Sequence, residues 1–105
     1  IIGRYLEHAR LFVFNNGGDE VILFGSADLM TRNLDYRVEV TTPVYNNSLK
    51  AEIKEWLHIQ LSDTTKARSL HSGEINNYIC PLDSKLLKDS QVEWKKYLES
   101  KSAKV

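Results

Sequence analysis

Two short apolar runs stand close together near the start of the chain, Leu11–Phe14 inside the segment Ala9–Asn15 and Val21–Phe24 inside the segment Glu20–Phe24. Between them lies Asn15-Asn16-Gly17-Gly18-Asp19, residues suited to the positive φ angles of a tight reversal. The pattern predicts a β-hairpin with both strands largely buried. Tyr36 to Thr41 then alternates, with Tyr36, Val38 and Val40 on one face and Arg37, Glu39 and Thr41 on the other. That period predicts a third strand, ended by Pro43. Gly25 to Asp35 is polar and follows neither period, so a loop or a short helical turn is expected there.

The period changes after Pro43. Leu49, Ile53, Trp56, Leu57, Gln60 and Leu61 recur at spacings of three and four, which predicts an amphipathic helix capped by Asn47 or Ser48 and running to about Ser62. A polar stretch from Asp63 to Glu74 follows, then a short apolar piece, Ile75 to Cys80, stopped by Pro81. Ser90-Gln91-Val92-Glu93 has the form of a capping box. It would open a last helix with Trp94, Tyr97 and Leu98 on one side, fraying into Lys101 to Val105. Trp56 and Trp94 are expected on helix faces packed against the sheet. Three or more strands followed by two helices give an α/β or α+β layer arrangement, read as a single domain over residues 1–105.

Composition narrows the function classes. A chain of 105 residues, 42% hydrophobic and 27% charged, is an ordinary globular domain and too short for two. Fourteen basic residues balance fourteen acidic ones, so no global pull toward nucleic acid or anionic lipid exists. The apolar runs are too short for a membrane-spanning helix or a signal-peptide core. Cys80 stands alone, which excludes an internal disulfide, fits a reducing compartment and suggests a buried or half-buried small residue. The first four basic residues (Arg4, Arg10, Arg32, Arg37) are all arginine, and eight of the nine after Glu52 are lysine. Arginine grips phosphate or carboxylate with a planar fork, whereas lysine is a solvated point charge. The chain opens on Ile1-Ile2-Gly3 without an initiator methionine and is expected to be a piece of something longer.

Of three histidines, His58 sits at the boundary of the predicted helix stripe and His71 in a polar loop expected to face solvent. His8 differs. It immediately precedes the first strand, with Glu7 beside it and Arg10 two residues on, on the same face by alternation. The second strand ends in Gly25-Ser26-Ala27-Asp28, and a hairpin brings that end beside His8. Arg32, Asn33, Asp35, Arg37 and Glu39 continue the polar set. A histidine, several arginines, a Gly-Ser turn and carboxylates at one sheet edge suit a phosphoryl group. The plainer alternative is a structural histidine at a strand edge, with the arginines in ion pairs with Glu7, Asp28, Asp35 and Glu39. No metal site is expected, because histidines and carboxylates lack ligand spacing on a shared element.

Three blocks carry a family resemblance: Gly3-Arg4-Tyr5-Leu6-Glu7-His8, Asn16-Gly17-Gly18-Asp19, and the sixteen residues from Gly25 to Val40. Together with Leu61 to Arg68 they closely resemble the C-terminal region of bacterial polyphosphate kinases, over Ile1 to about Val92. The resemblance implies a phospholipase-D-like half domain, an α/β fold with a mixed β-sheet packed against helices. It implies reversible transfer of the ATP γ-phosphate to inorganic polyphosphate, through a phosphohistidine lying upstream of this chain. His8 matches the family's second histidine, at the ATP phosphates, as proton donor or electrostatic stabiliser. That superfamily's motif is His-x-Lys followed by a Gly-Ser turn, and here Arg10 stands at the lysine. On this footing His8, Arg10, Ser26 and Arg32 are expected at ATP or phosphate, with Glu7, Asp28, Asn33, Asp35 and Glu39 supporting. ATP enters as substrate, and the magnesium ligands are expected upstream. Expected partners are ATP or ADP, polyphosphate and upstream domains of the same polypeptide, in a homo-oligomeric parent without nucleic acid. The expected location is cytoplasmic, with or without membrane association of the parent. Two alternatives accompany this reading. One is a phosphodiesterase half-site of the phospholipase D type completed by dimerisation. The other is a non-enzymatic module binding polyphosphate or a partner through the Lys-rich last helix, at Lys95 and Lys96.

Overall fold

The Asn15–Asp19 cluster reverses the chain as its residues favour. Asn16, Gly17 and Gly18 adopt φ values of 46°, 66° and 99°, the left-handed region that glycine enters freely and asparagine most readily among the others. Strands β1 (Leu11–Phe14) and β2 (Val21–Gly25) flank this turn. They pair antiparallel, with Leu11 opposite Phe24 and Phe14 opposite Val21. The computed structural model describes residues 3–71, 73, 76–79 and 83–103. The chain divides into two compact units, Glu7–Ile53 and Ile1–Leu6 with Lys54–Val105. The fold is mixed α/β, with small sheets and helices.

In the Glu7–Ile53 unit the sheet order is β1-β2-β3, with β3 at Thr41–Pro43. The alternating stretch read as the third strand therefore lies just ahead of the strand. The cause is the length of β2. Thr41 pairs with Gly25, the last residue of β2, and after one further backbone bond at Val40 the earlier residues have run past the end of their partner. Pro43 is the last residue of β3 and ends it as expected, a place an edge strand permits because the missing N–H is not needed for a ladder. Neither hairpin strand is largely buried. Ile22, on the central strand, is buried, but Phe14 and Phe24 each keep about half their surface. Past β2 the chain makes a single helical turn, α1 (Thr31–Leu34), whose Asn33 is buried.

The long helix α2 (Asn47–Leu61) begins one residue after its cap. Asn46, not Asn47 or Ser48, accepts from the backbone N–H groups of Ser48 and Leu49 at 2.9 and 3.1 Å. The same one-residue offset recurs at α3 (Ser90–Ser102), where Asp89 accepts from Gln91 and Val92. An Asp cap reaching the N2 and N3 amides replaces the expected Ser90–Glu93 box. Trp94 and Tyr97, one turn apart on α3, stack with centroids 5.0 Å apart.

The polar stretch after α2 is more ordered than its composition suggests. Arg68–Ser69 (β4) pairs antiparallel with Asn77–Tyr78 (β5). Ahead of it, Asp63 is buried, and one carboxylate oxygen accepts from the N–H groups of Thr65, Lys66 and Ala67 at 2.8–3.1 Å. Its other oxygen accepts from Ser90 N–H at 2.8 Å, which ties this turn to the start of α3. Burial alone raises the Asp63 pKa, but these donors outweigh it and hold the carboxyl well below the usual range. Cys80, whose burial was expected, lies outside the described residues, as do the ends of its segment at Ile75 and Pro81.

Candidate functional site

The hairpin register sets Arg10, two residues after His8, beside the Gly25-Ser26 turn. Continued one step, the β1–β2 register places Arg10 opposite Gly25, and Gly25 N–H donates to the Arg10 carbonyl at 3.1 Å. On the other side of β2, Ser26 N–H donates to the Val40 carbonyl at 3.1 Å. Gly25 is confined between these strands. A Cβ there would lie 3.0 Å from Thr41 Cα and closer still to the Val40 carbonyl oxygen. The missing side chain at Gly25 thus serves the close approach of the neighbouring strand.

Two carboxylates organise the polar groups. Asp28 receives the Arg10 fork, Nε at 2.8 Å and a terminal nitrogen at 3.3 Å. The other terminal nitrogen of Arg10 donates to the carbonyl of His8 at 3.0 Å. Arg32 stands 3.8 Å from the same Asp28 carboxylate. Glu39 accepts from the Ser26 hydroxyl and, at 2.8 Å, from the Asn33 side-chain amide. The Ser26 oxygen in turn accepts from Val40 N–H at 3.3 Å, and Arg32 Nε donates to the Asn33 side-chain Oδ1 at 3.4 Å. Asn33 thus joins the two halves into one network.

The electrostatics follow from these contacts. The Arg10 hydrogen bond holds the Asp28 carboxyl below its usual range against the cost of burial, and the charges of Arg10, Arg32 and His8 add to it. Reciprocally, Asp28 raises the Arg10 pKa. The Glu39 pKa is lowered first by the Ser26 hydroxyl and then by the Asn33 amide. Both carboxylates are therefore kept ionised and hydrogen-bonded, the form that fixes arginine and serine side chains in place.

The structure gathers Arg10, Ser26, Asp28, Arg32, Asn33 and Glu39 into this network, with His8 joined through its carbonyl. His8 is exposed and Glu7 half-buried. Asp35 stands apart: it ends α1, where its N–H donates to the Thr31 carbonyl. His58 and His71 are both exposed. Among the described residues, no three His, Cys, Asp or Glu side chains form a metal-ligand group, and no helix is long and apolar enough to cross a membrane. The residue that sequence reasoning missed is Asp63. Its signal was an Asp before Thr-Thr, which favours an Asx turn.

Comparison with known proteins gives the same assignment by independent routes. The family described as Polyphosphate kinase C-terminal domain 2 matches residues 1–91. A polyphosphate kinase from Salmonella typhimurium is 47% identical over 79 residues, 75% of this chain and 12% of its own length. One from Bacillus cereus is 40% identical over 93 residues, 89% of this chain and 13% of its own. The crystal structure of polyphosphate kinase from Porphyromonas gingivalis superposes with a TM-score of 0.89 at 38% identity, covering 99% of this chain and 16% of that one. The chain thus spans roughly one-eighth of the length of these relatives.

Proposed function

The chain belongs to the polyphosphate kinase family, and on that premise we propose that it supplies the second-histidine half of a phosphoryl-transfer site in a longer polyphosphate kinase. The observation that carries the proposal is the pinned Arg10. Its fork is held by Asp28 while its remaining terminal nitrogen grips the His8 carbonyl, so cation, carboxylate and histidine backbone form one rigid group. Phosphoryl transfer depends mainly on such positioning and on charge stabilisation.

In the proposed reaction the ATP γ-phosphoryl group passes to a histidine outside this chain and then to the polyphosphate end, reversibly. As the bond to the ADP oxygen breaks, protonated His8 donates its proton to that oxygen; in reverse it takes the proton back. Arg32, whose side chain is 58% exposed, supplies accessible positive charge to the phosphate oxygens. Arg10 contributes charge from a fixed position. Ser26, engaged by Glu39 and Val40, shapes the turn that faces the phosphates, and Asn33 keeps the turn and the arginines in register. The family's magnesium is assigned to ligands outside this chain, and no step is routed through it.

The test is steady-state turnover in both directions by the full-length enzyme carrying these residues. His8→Ala is expected to abolish polyphosphate synthesis and ATP regeneration while the fold persists. Near-normal turnover would remove His8 from the mechanism. Hydrolysis of a generic phosphodiester by the unaltered protein would instead point to phosphodiesterase chemistry.

A further inference from the structure

We propose that Asn16, at the tip of the β1–β2 turn, is a site of spontaneous deamidation, at which the Gly17 backbone nitrogen closes a ring on the Asn16 side chain and water then opens it. The proposal is independent of the reading of His8.

Asparagine is among the thermolabile side chains, and of the seven in this chain only Asn16 is followed by glycine. Ring closure brings the nitrogen of the next residue onto the side-chain carbon. A side chain on that residue obstructs the approach, and glycine has none. Asn16 and Gly17 are both exposed, and a Cβ at Gly17 or Gly18 would meet nothing within 4 Å, so the turn is open to water. Two backbone bonds of the turn run from Gly18 N–H to the Asn15 carbonyl and from Asp19 N–H to the Asn16 carbonyl, at 2.9 and 3.3 Å. Neither engages Gly17 N–H. Asn47 gives the contrast within the same unit. The nitrogen after it, that of Ser48, lies in the first turn of α2 and donates to Asn46 Oδ1 at 2.9 Å, so it is committed to a hydrogen bond.

The step conserves its atoms. The Gly17 nitrogen forms a bond to Asn16 Cγ, the bond from Cγ to Nδ2 breaks, and ammonia leaves carrying the Gly17 amide proton. Water then supplies a hydroxyl to one of the two ring carbonyl carbons and a proton to the nitrogen. Aspartate results where the Cγ–N bond opens, and isoaspartate where the backbone bond opens. Either product alters the turn. The Asn16 amide donates to the Asp19 carbonyl at 3.0 Å, and an ionised carboxylate has no donor to replace it. The new charge also joins Asp19 and Glu20 at the tip of the hairpin. Isoaspartate further lengthens the main chain by one carbon, between strands whose register sets Phe14 opposite Val21. The same hairpin holds Arg10 beside Gly25 at its other end.

The test holds the full-length protein carrying these residues, folded, in water enriched in heavy oxygen at neutral and at mildly alkaline pH, and follows it by peptide mass mapping. A urea-unfolded sample runs alongside. The expected result is that the folded protein loses the Asn16 amide, takes up one heavy oxygen there and yields both aspartate and isoaspartate peptides. Asn33, Asn46 and Asn47 stay intact over the same period. The loss rises in proportion to hydroxide, because the Gly17 nitrogen attacks once its proton is gone. Asn16→Asp, which reproduces one product outright, is expected to lower exchange protection of the Gly18 and Asp19 amides about fivefold, the scale of one lost hydrogen bond. An intact Asn16 in the folded protein, after the unfolded sample has converted, overturns the proposal, since the turn then shields the side chain. Loss at Asn47 as fast as at Asn16 in the folded protein overturns it equally. Unchanged protection in Asn16→Asp overturns the effect on the turn.

Discussion

Asp63 is the most heavily hydrogen-bonded carboxylate among the described residues of its unit, and removing it should unlock two elements together. In Asp63→Ala the Ser90 N–H loses its acceptor. Ser90 is buried, so that donor bears the full cost of an unsatisfied group, about 1–3 kcal/mol. The amides of Thr65, Lys66 and Ala67 lose theirs too, but these residues are only half-buried and can turn to water at about 0.5 kcal/mol each. The total is about 3.5–4.5 kcal/mol, taking the upper half of the Ser90 range. Asp63→Asn keeps an acceptor for the three turn amides but sets an NH2 group against Ser90 N–H, for about 2 kcal/mol. Hydrogen exchange in the full-length protein reads this directly, since each 1.4 kcal/mol is about tenfold in protection. The Ser90 and Lys66 amides should lose roughly a hundredfold or more in Asp63→Ala, and less in Asp63→Asn. The pH dependence has a definite sign. The folded-state pKa is depressed, so this stabilisation is complete above the unfolded value of about 3.9 and drains away as pH falls below it. Protection within twofold of wild type in Asp63→Ala, or a loss that begins near neutral pH, would refute the reasoning.

Three further outcomes follow from the site. Gly25→Ala forces a methyl group against the Val40 carbonyl and Thr41 and should part β3 from β2, costing about 2–3 kcal/mol; denaturant unfolding with an unchanged midpoint would contradict this. Arg10→Lys cannot hold both Asp28 oxygens and the His8 carbonyl at once, so kcat should fall about tenfold, the scale of a modest misplacement; steady-state kinetics equal to wild type would relegate Arg10 to scaffolding. Asn33→Ala removes the link between Glu39 and Arg32 and should raise KM for ATP more than it lowers kcat, as a fixed phosphate partner becomes mobile. An effect on kcat alone would place Asn33 closer to the reacting atoms than the network puts it.

The hairpin was legible because its signals agree: apolar runs mark the strands, and Asn16-Gly17-Gly18 supplies the positive φ angles between them. Register then follows from the turn, which is why Arg10 and the Gly25-Ser26 turn could be placed together in advance. The third strand was misplaced by its own alternation. Period two reports an extended chain, not a partner, and β2 ends at Gly25 before Val38 and Tyr36 can pair. The helix caps slipped by one residue for a related reason. Asn46, Asn47 and Ser48 can all cap, and only the backbone decides which side chain reaches the free amides. The contacts Asp63–Ser90 and Gln91–Tyr5 lay beyond sequence reasoning because the partners are 27 and 86 residues apart. Within the site, residue types indicated which groups gather. The plainer expectation of arginine–carboxylate pairs is met at Asp28, which pairs with Arg10 and Arg32, whereas the Glu39 contact with Ser26 was not indicated.

The central claim is that His8 serves the departure of ADP and does not itself carry the phosphate. Rapid-quench single turnover with γ-labelled ATP tests it in the full-length enzyme and its His8→Ala variant. The account predicts a burst of acid-labile phosphoenzyme in the wild type, with the label outside this chain after proteolysis. In His8→Ala the burst should vanish although ATP still binds. A wild-type burst in His8→Ala, or label recovered on the peptide containing His8, would contradict it.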